Sequence, residues 1–179
     1  MKKLCVFCGS RTGAREAYQT AARELGARLA RLGIGLVYGG GNVGLMGAVS
    51  DACIDGGGHV TGVIPDFMIP LELANERIQD LRVVRSMHER KALMAELSDA
   101  FAALPGGIGT FEECLEQLAW LKLRLHRKPS ALLNVRGYYD PFIAFLRNAE
   151  AEGFYESEPG DELKVATDID SLLDRLELS

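Results

Sequence analysis

Ala100-Phe101-Ala102-Ala103-Leu104-Pro105-Gly106-Gly107-Ile108-Gly109-Thr110-Phe111-Glu112-Glu113 runs from a short apolar segment through a glycine turn into a helical pattern. The segment up to Leu104 is apolar without alternation, as in a strand buried on both faces, and from Phe111 to Leu125 apolar residues recur at helical spacing. Strand, glycine turn and helix make one βα unit, and the unit repeats on either side. Strands are predicted over Leu4–Cys8, Gly35–Tyr38, His59–Ile64, Leu81–Val84, Ala100–Leu104, Ser130–Asn134 and Lys164–Ala166. Helices are predicted over Ala14–Leu32, Leu45–Asp55, Met87–Leu97, Phe111–Leu125, Asp140–Glu152 and Ile169–Leu176. Strands alternating with helices give the α/β class, a mostly parallel sheet with helices on both faces. The 179 residues, 47% apolar, suit one domain spanning 1–179, which would bury about 70% of its unfolded surface.

The 20 Lys and Arg against 25 Asp and Glu leave a formal charge of −5, so no global positive field would hold a nucleic acid. No apolar run of membrane-spanning length occurs, and Met1-Lys2-Lys3-Leu4 leads directly into a strand, so neither a membrane nor an export signal is expected and the cytoplasm is the expected location. Cys5, Cys8, Cys53 and Cys114 are too few for a disulfide framework. The Cys5-x-x-Cys8 spacing falls on a strand, where an odd offset sends the two thiols to opposite faces. His59, His88 and His126 lack the i, i+4 pairing of a metal hydrolase, and no metal is expected.

In open α/β sheets ligands bind beyond the carboxyl ends of the strands. Gly9 follows the first strand, Gly39-Gly40-Gly41 the second and Gly106-Gly107-x-Gly109 the fifth, so the turns converge on one sheet edge. Gly39 to Gly47 contains G-x-G-x-x-G, but after the second strand and with no acidic residue ending the next one, which argues against a dinucleotide site. The lysine-bearing loop of triphosphate hydrolases is absent. The turn at Gly106–Gly109 opens a helix whose first N–H groups are unpaired at the positive end of its dipole, a place for a phosphate.

Thr110-x-x-Glu113 also satisfies the capping box, so spacing alone leaves Glu113 either a cap or a site residue. Ser86-x-x-Glu89 reads as a cap, followed by Arg90 and Lys91 in the first helical turn. Two cations there oppose the helix dipole, which suggests that Arg90 faces an anion or carboxylate; the alternative is a solvated surface charge. The stretch Pro65–Asp80 is irregular and long for a compact domain, as loops over a site are.

Gly39-Gly40-Gly41-x-x-Gly44-Leu45-Met46-Gly47, Met87-His88-x-Arg90-Lys91 and Pro105-Gly106-Gly107-x-Gly109-Thr110-x-x-Glu113 resemble the LONELY GUY (LOG) proteins, cytokinin riboside 5'-monophosphate phosphoribohydrolases often labelled lysine decarboxylases. Leu132-Leu133-Asn134-Val135-x-Gly137-Tyr138-Tyr139 and Glu152-Gly153-Phe154 extend the resemblance along nearly the whole chain. It implies a Rossmann-like fold, a homodimer, no metal or organic cofactor, and a nucleoside 5'-monophosphate substrate cleaved between base and ribose. It implies Arg90 and Glu113 as the catalytic pair, and contacts to substrate from Glu72, Lys91 and the turn Gly107, Ile108, Gly109 and Thr110. Gly40, Gly41, Gly44, Met87 and Ser10 complete the expected substrate-binding set. Ala119 stands before Trp120 where many plant-type members have a threonine among their substrate contacts. The decarboxylase label has no support in a recognisable Schiff-base lysine context or a large cofactor domain.

Phe111, Leu115, Leu118, Leu121 and Leu125 make one apolar stripe, while Trp120 and Leu123 point elsewhere. A helix apolar on more than one face is buried on more than one side, and a second copy of the chain could cover the outer one. The rival reading is a non-enzymatic carrier or sensor of a phosphorylated ligand, since molybdenum-cofactor carrier proteins are similar in fold; retention of Arg90 and Glu113 favours the enzyme.

Overall fold

Burial alternates residue by residue along the first strand: Leu4 and Val6 face one core, Cys5 and Phe7 another. That two-sided burial sets the architecture. The computed structural model describes residues 1–156 and 162–179. In chain order the elements are β1 (Lys3–Phe7), α1 (Glu16–Leu32), β2 (Gly35–Tyr38), α2 (Gly44–Asp55), β3 (Val60–Pro65), α3 (Ile69–Glu72), β4 (Asp80–Val84), α4 (Met87–Glu96), β5 (Ala100–Ala103), α5 (Ile108–Lys122), β6 (Ser130–Leu133), α6 (Asp140–Ala151), β7 (Lys164–Ala166) and α7 (Ile169–Arg175). The strands form one sheet in the order β4-β3-β2-β1-β5-β6-β7, every neighbouring pair parallel.

On one face α1, α2 and α7 cover Leu4, Val6, Leu36 and Leu133 with Leu25, Leu29, Val49 and Leu172. On the other, α4, α5 and the segment into α6 bring Met94, Cys114 and Tyr139 against Cys5, Phe7, Val63, Phe101 and Leu132. Each such aliphatic or aromatic side chain contributes about 1.5–3 kcal/mol on full burial. Cys5 and Cys8 lie in different cores, as the strand offset predicts, and all four cysteines are free and buried.

After β1 the chain builds outward through β2, β3 and β4, then returns to place β5 on the other side of β1. The connections leave β1 and β5 in opposite directions, opening a crevice between their carboxyl ends, the switch point where such sheets bind ligands.

Two expectations about helices need correction. α5 begins at Ile108, not Phe111, and stops at Lys122, so Leu125 lies beyond it and is exposed. Its buried face is Thr110, Cys114, Gln117, Leu118 and Leu121; Leu115, placed in the apolar stripe by sequence, is 39% exposed, while Trp120 packs on the core. The face that meets the sheet follows 110, 114, 117 and 121, so small and polar side chains approach the strands and part of the leucine stripe turns outward. Within Pro65–Asp80 a short 3-10 turn (Asp66–Met68) leads into α3, where the sequence is irregular.

α1 and α2 touch at Gly26, where an added Cβ would stand 2.2 Å from the carbonyl oxygen of Val49. Gly26→Ala should force these helices apart and destabilise the protein by about 2 kcal/mol or more, read from urea unfolding midpoints at unchanged slope.

Candidate active site

Ser86 opens α4 as a side-chain cap: the Glu89 amide donates to Ser86 Oγ at 3.2 Å, and the Glu89 carboxylate reaches back to accept from the Arg85 amide at 2.8 Å. The cap fixes the first turn, and with it Arg90, only 4% exposed. Its Nε donates to the Val63 carbonyl (3.1 Å), and its Nη2 donates to the Gly39 carbonyl (2.8 Å) and to Glu72 Oε2 (3.1 Å). Among the described residues its Nη1 meets only the soft sulfurs of Met68 (3.3 Å) and Met87 (3.9 Å), weak acceptors that leave this nitrogen available to a ligand. The alternative of a solvated surface arginine is excluded. Gly39 is required here, because a Cβ on it would lie 2.0 Å from Arg90 Nη2.

Glu113 stands on the second turn of α5, facing the same cavity. The cap of α5 is the backbone of Gly107, and Thr110 lies inside the helix, so the capping-box alternative for Glu113 falls away. Burial pushes its carboxyl up to about 7; the nearby Arg90 charge pulls against this, and the carboxylates of Glu112 and Glu72 add to the rise. Arg90 acts on Glu113 through space, for its direct ion-pair partner is Glu72.

The cavity, about 210 Å³, is lined by Ser10, Glu72, Met87, Arg90, the turn Gly107–Thr110 and Glu113, all named from the sequence. Gly39, Cys8 and the four internal methionines Met46, Met68, Met87 and Met94 complete most of the wall. Of these, all but Met87 were missed as site residues, although Gly39 opens the triple glycine and Met68 sits in the irregular stretch. An adjoining hollow of about 520 Å³ shares Ser10, Gly107 and Ile108 and adds Arg11, Thr12, Tyr18 and Tyr138. The glycine turn between them is pinned from behind, where the Tyr138 hydroxyl donates to the Gly106 carbonyl and the Tyr139 hydroxyl to that of Leu104. A larger hollow of about 670 Å³ between α1 and α7 contains none of these turns. Chemistry, not volume, identifies the site.

Some expected residues stand outside the cavity wall. Gly40 packs against Val63, Ile64 and Leu81, Gly41 against Glu72, and Gly44 against the backbone of Ser10 and Arg11. Lys91 is 8% exposed and is ion-paired to Glu112 and, at 2.9 Å, to Glu116, joining α4 to α5. Among the described residues no group of three or more His, Cys, Asp or Glu is placed to hold a metal ion, and no helix is long and apolar enough to cross a membrane.

The raised Glu113 carboxyl links stability to pH. Its folded value lies above the ordinary 4.5, so the fold favours the neutral form; this contribution is full below about 4.5 and is lost as pH rises through about 7. Glu113→Gln should therefore stabilise the protein relative to wild type at pH 8 and much less at pH 4.5, measured by chemical denaturation at both.

Residues 46–176 match the family model described as "Possible lysine decarboxylase". The chain is 55% identical over 165 residues to a rice protein named probable cytokinin riboside 5'-monophosphate phosphoribohydrolase LOGL5, covering 92% of this chain and 67% of the relative. It is 48% identical over 176 residues to cytokinin riboside 5'-monophosphate phosphoribohydrolase LOG3 of Arabidopsis thaliana, covering 98% and 82%. Among solved structures, the molybdenum cofactor binding protein of the phototrophic bacterium Rippkaea orientalis superposes with a TM-score of 0.74 at 21% identity over 99% of this chain and 96% of that one, a likeness of fold. The extent of the family match, together with identities of 48–55% to its phosphoribohydrolase members, places the chain in the LOG family.

Proposed function

We propose that the protein hydrolyses the N-glycosidic bond of adenosine 5'-monophosphate or its N6-substituted, cytokinin-type derivatives, releasing free base and ribose 5-phosphate. The observation that carries this reading is the desolvated Glu113 carboxyl, set in one cavity with the buried Arg90 and the open amino end of α5. The substrate class is that named for the relatives.

The phosphate sits against the N–H groups of the Gly107–Thr110 turn, where the helix dipole favours an anion. Glu113 then faces the anomeric carbon. As the bond between ribose and base lengthens, its electron pair leaves with the base nitrogen and positive charge builds on the sugar ring; the carboxylate opposes that charge more strongly in the transition state than in the ground state. A carboxylate that titrates near 7 can also take one proton from the attacking water, whose O–H then bonds to the anomeric carbon, and pass that proton to the departing base nitrogen. Arg90 limits the rise of the Glu113 carboxyl, since its charge is the leading influence against the burial effect. No organic cofactor or metal enters these steps.

The outer side of α5 fits a second copy of the chain. Phe111 stacks on Phe142 at 5.8 Å, joining α5 to α6, and Ile108 (82% exposed), Leu115 and Phe145 extend this apolar surface from the mouth of the cavity. Four buried free thiols suit a reducing compartment, and we assign the protein to the cytoplasm.

Incubation with AMP and with isopentenyladenosine monophosphate, following free base and ribose 5-phosphate, decides the reading. Wild type should release base, and Glu113→Gln and Arg90→Ala should each lose about a hundredfold or more in kcat. The wild-type kcat/KM should rise with pH through a limb near 7, where Glu113 becomes a carboxylate. Binding without cleavage of either nucleotide would instead support a carrier or sensor. Light scattering should give twice the chain mass at micromolar concentration; a monomer there would defeat the dimer.

A further inference from the structure

The segment 66–79 carries Glu72 to Arg90, yet around Glu72 it has little apolar burial to keep it there: Phe67, Leu71 and Leu73 are all exposed, and Ile78, past Asn75, packs on the core. Leu73, next to Glu72, has φ 49° and ψ 83°, a left-handed conformation that L side chains rarely adopt, so neighbours must impose it.

Those neighbours lie on the C-terminal side of Glu72. The Asn42 amide donates to the carbonyls of Glu72 (3.0 Å) and Leu73 (2.8 Å), Gly41 and Ala74 form an isolated bridge, and the Asn75 amide donates to the Gly40 carbonyl at 3.0 Å. These bonds tie the segment to the turn after β2. A second tie, to α2, is the side chain of Asn75, 1% exposed. Its Nδ2 donates to Ser50 Oγ (3.1 Å) and Asp51 Oδ1 (3.2 Å) on α2, and its Oδ1 accepts from the Arg77 amide (3.0 Å). An aspartate would set a like charge against Asp51, and an apolar residue would leave these groups without their buried partner. Arg77 adds exposed pairs to Asp51 and Asp55, which contribute little beside a buried bond.

We propose that Asn75 is the positioning residue that holds Glu72 against Arg90 by anchoring the 66–79 segment to α2. Its bearing on catalysis rests on the hydrolase reading above. When Asn75 lets go, Arg90 loses its paired carboxylate, and Glu113 becomes the acid in the cavity on which its charge acts undivided.

The test compares wild type, Asn75→Ala, Arg77→Ala, Glu72→Gln and the Asn75→Ala/Glu72→Gln pair. Hydrogen exchange on the ligand-free proteins should show faster exchange at the amides of Asn42 and Asn75 in Asn75→Ala and no change there in Arg77→Ala. With AMP and isopentenyladenosine monophosphate, assayed well below its melting temperature, Asn75→Ala should lose between about tenfold and a hundredfold in kcat. Its acid limb should move below the wild-type limb, and the double variant should be scarcely worse than Glu72→Gln alone. A general structural role would move neither the limb nor the additivity. Unchanged exchange in Asn75→Ala, or losses that multiply in the double variant, overturn the proposal. If Asn75→Ala fails to fold, Ser50→Ala, which removes one acceptor, is carried through the same measurements with the same signs expected. A wild type that leaves both nucleotides intact overturns the hydrolase reading, while exchange together with AMP affinity by calorimetry still decides whether Asn75 holds the segment.

Discussion

A guanidinium buried to 4% exposure is the constraint from which the site follows. Taking such an ion out of water costs several kcal/mol even after relaxation, roughly speaking, and only well-placed acceptors offset it. Here the acceptors are a carbonyl at the end of β2, a carbonyl within β3 and a carboxylate on α3. Arg90 therefore demands two adjacent strands in register, a residue without a side chain at position 39, and a segment that crosses the sheet edge with an acid at position 72. The methionine sulfurs around Nη1 contribute contact without strong acceptance, which keeps one end of the charge uncommitted and directed at the cavity.

Much of this was legible in the chain. The alternation of strands and helices gave the class, because apolar runs and glycine punctuation respond to local backbone demands. Arg90 stood out since a cation in the first turn of a helix opposes the dipole unless something anionic receives it, and Glu72 does. Glu113 was different. Thr110 and Glu113 fit a cap as well as a site, and the choice turned on where α5 begins: starting at Ile108, the helix takes Thr110 into its interior.

What sequence did not convey is which helix face meets the sheet and what crosses the site from a distance. The α5 leucines suggested an inward stripe, but a crevice at a switch point needs small and polar side chains near the strands, and Leu115 turns outward. Nor does a local pattern reveal Asn75, whose partners lie on α2, or Met68, whose partner is on α4. Side chains that act by contact at long sequence separation leave no periodic trace.

Arg90 and Lys91 show how far neighbours can diverge. Successive helical residues point about 100° apart; the first of the pair enters the cavity and the second leaves for α5, where Glu112 and Glu116 receive it. Those two carboxylates flank Glu113 at one residue before and three after. The ammonium is nearly buried and its partners sit on one helix, so the link is tighter than an exposed pair and fixes the spacing of α4 and α5. Since Arg90 rides on one of these helices and Glu113 on the other, the distance across the cavity depends on Lys91 even though Lys91 is not part of its wall. Lys91 thus ties together the two helices that carry Arg90 and Glu113.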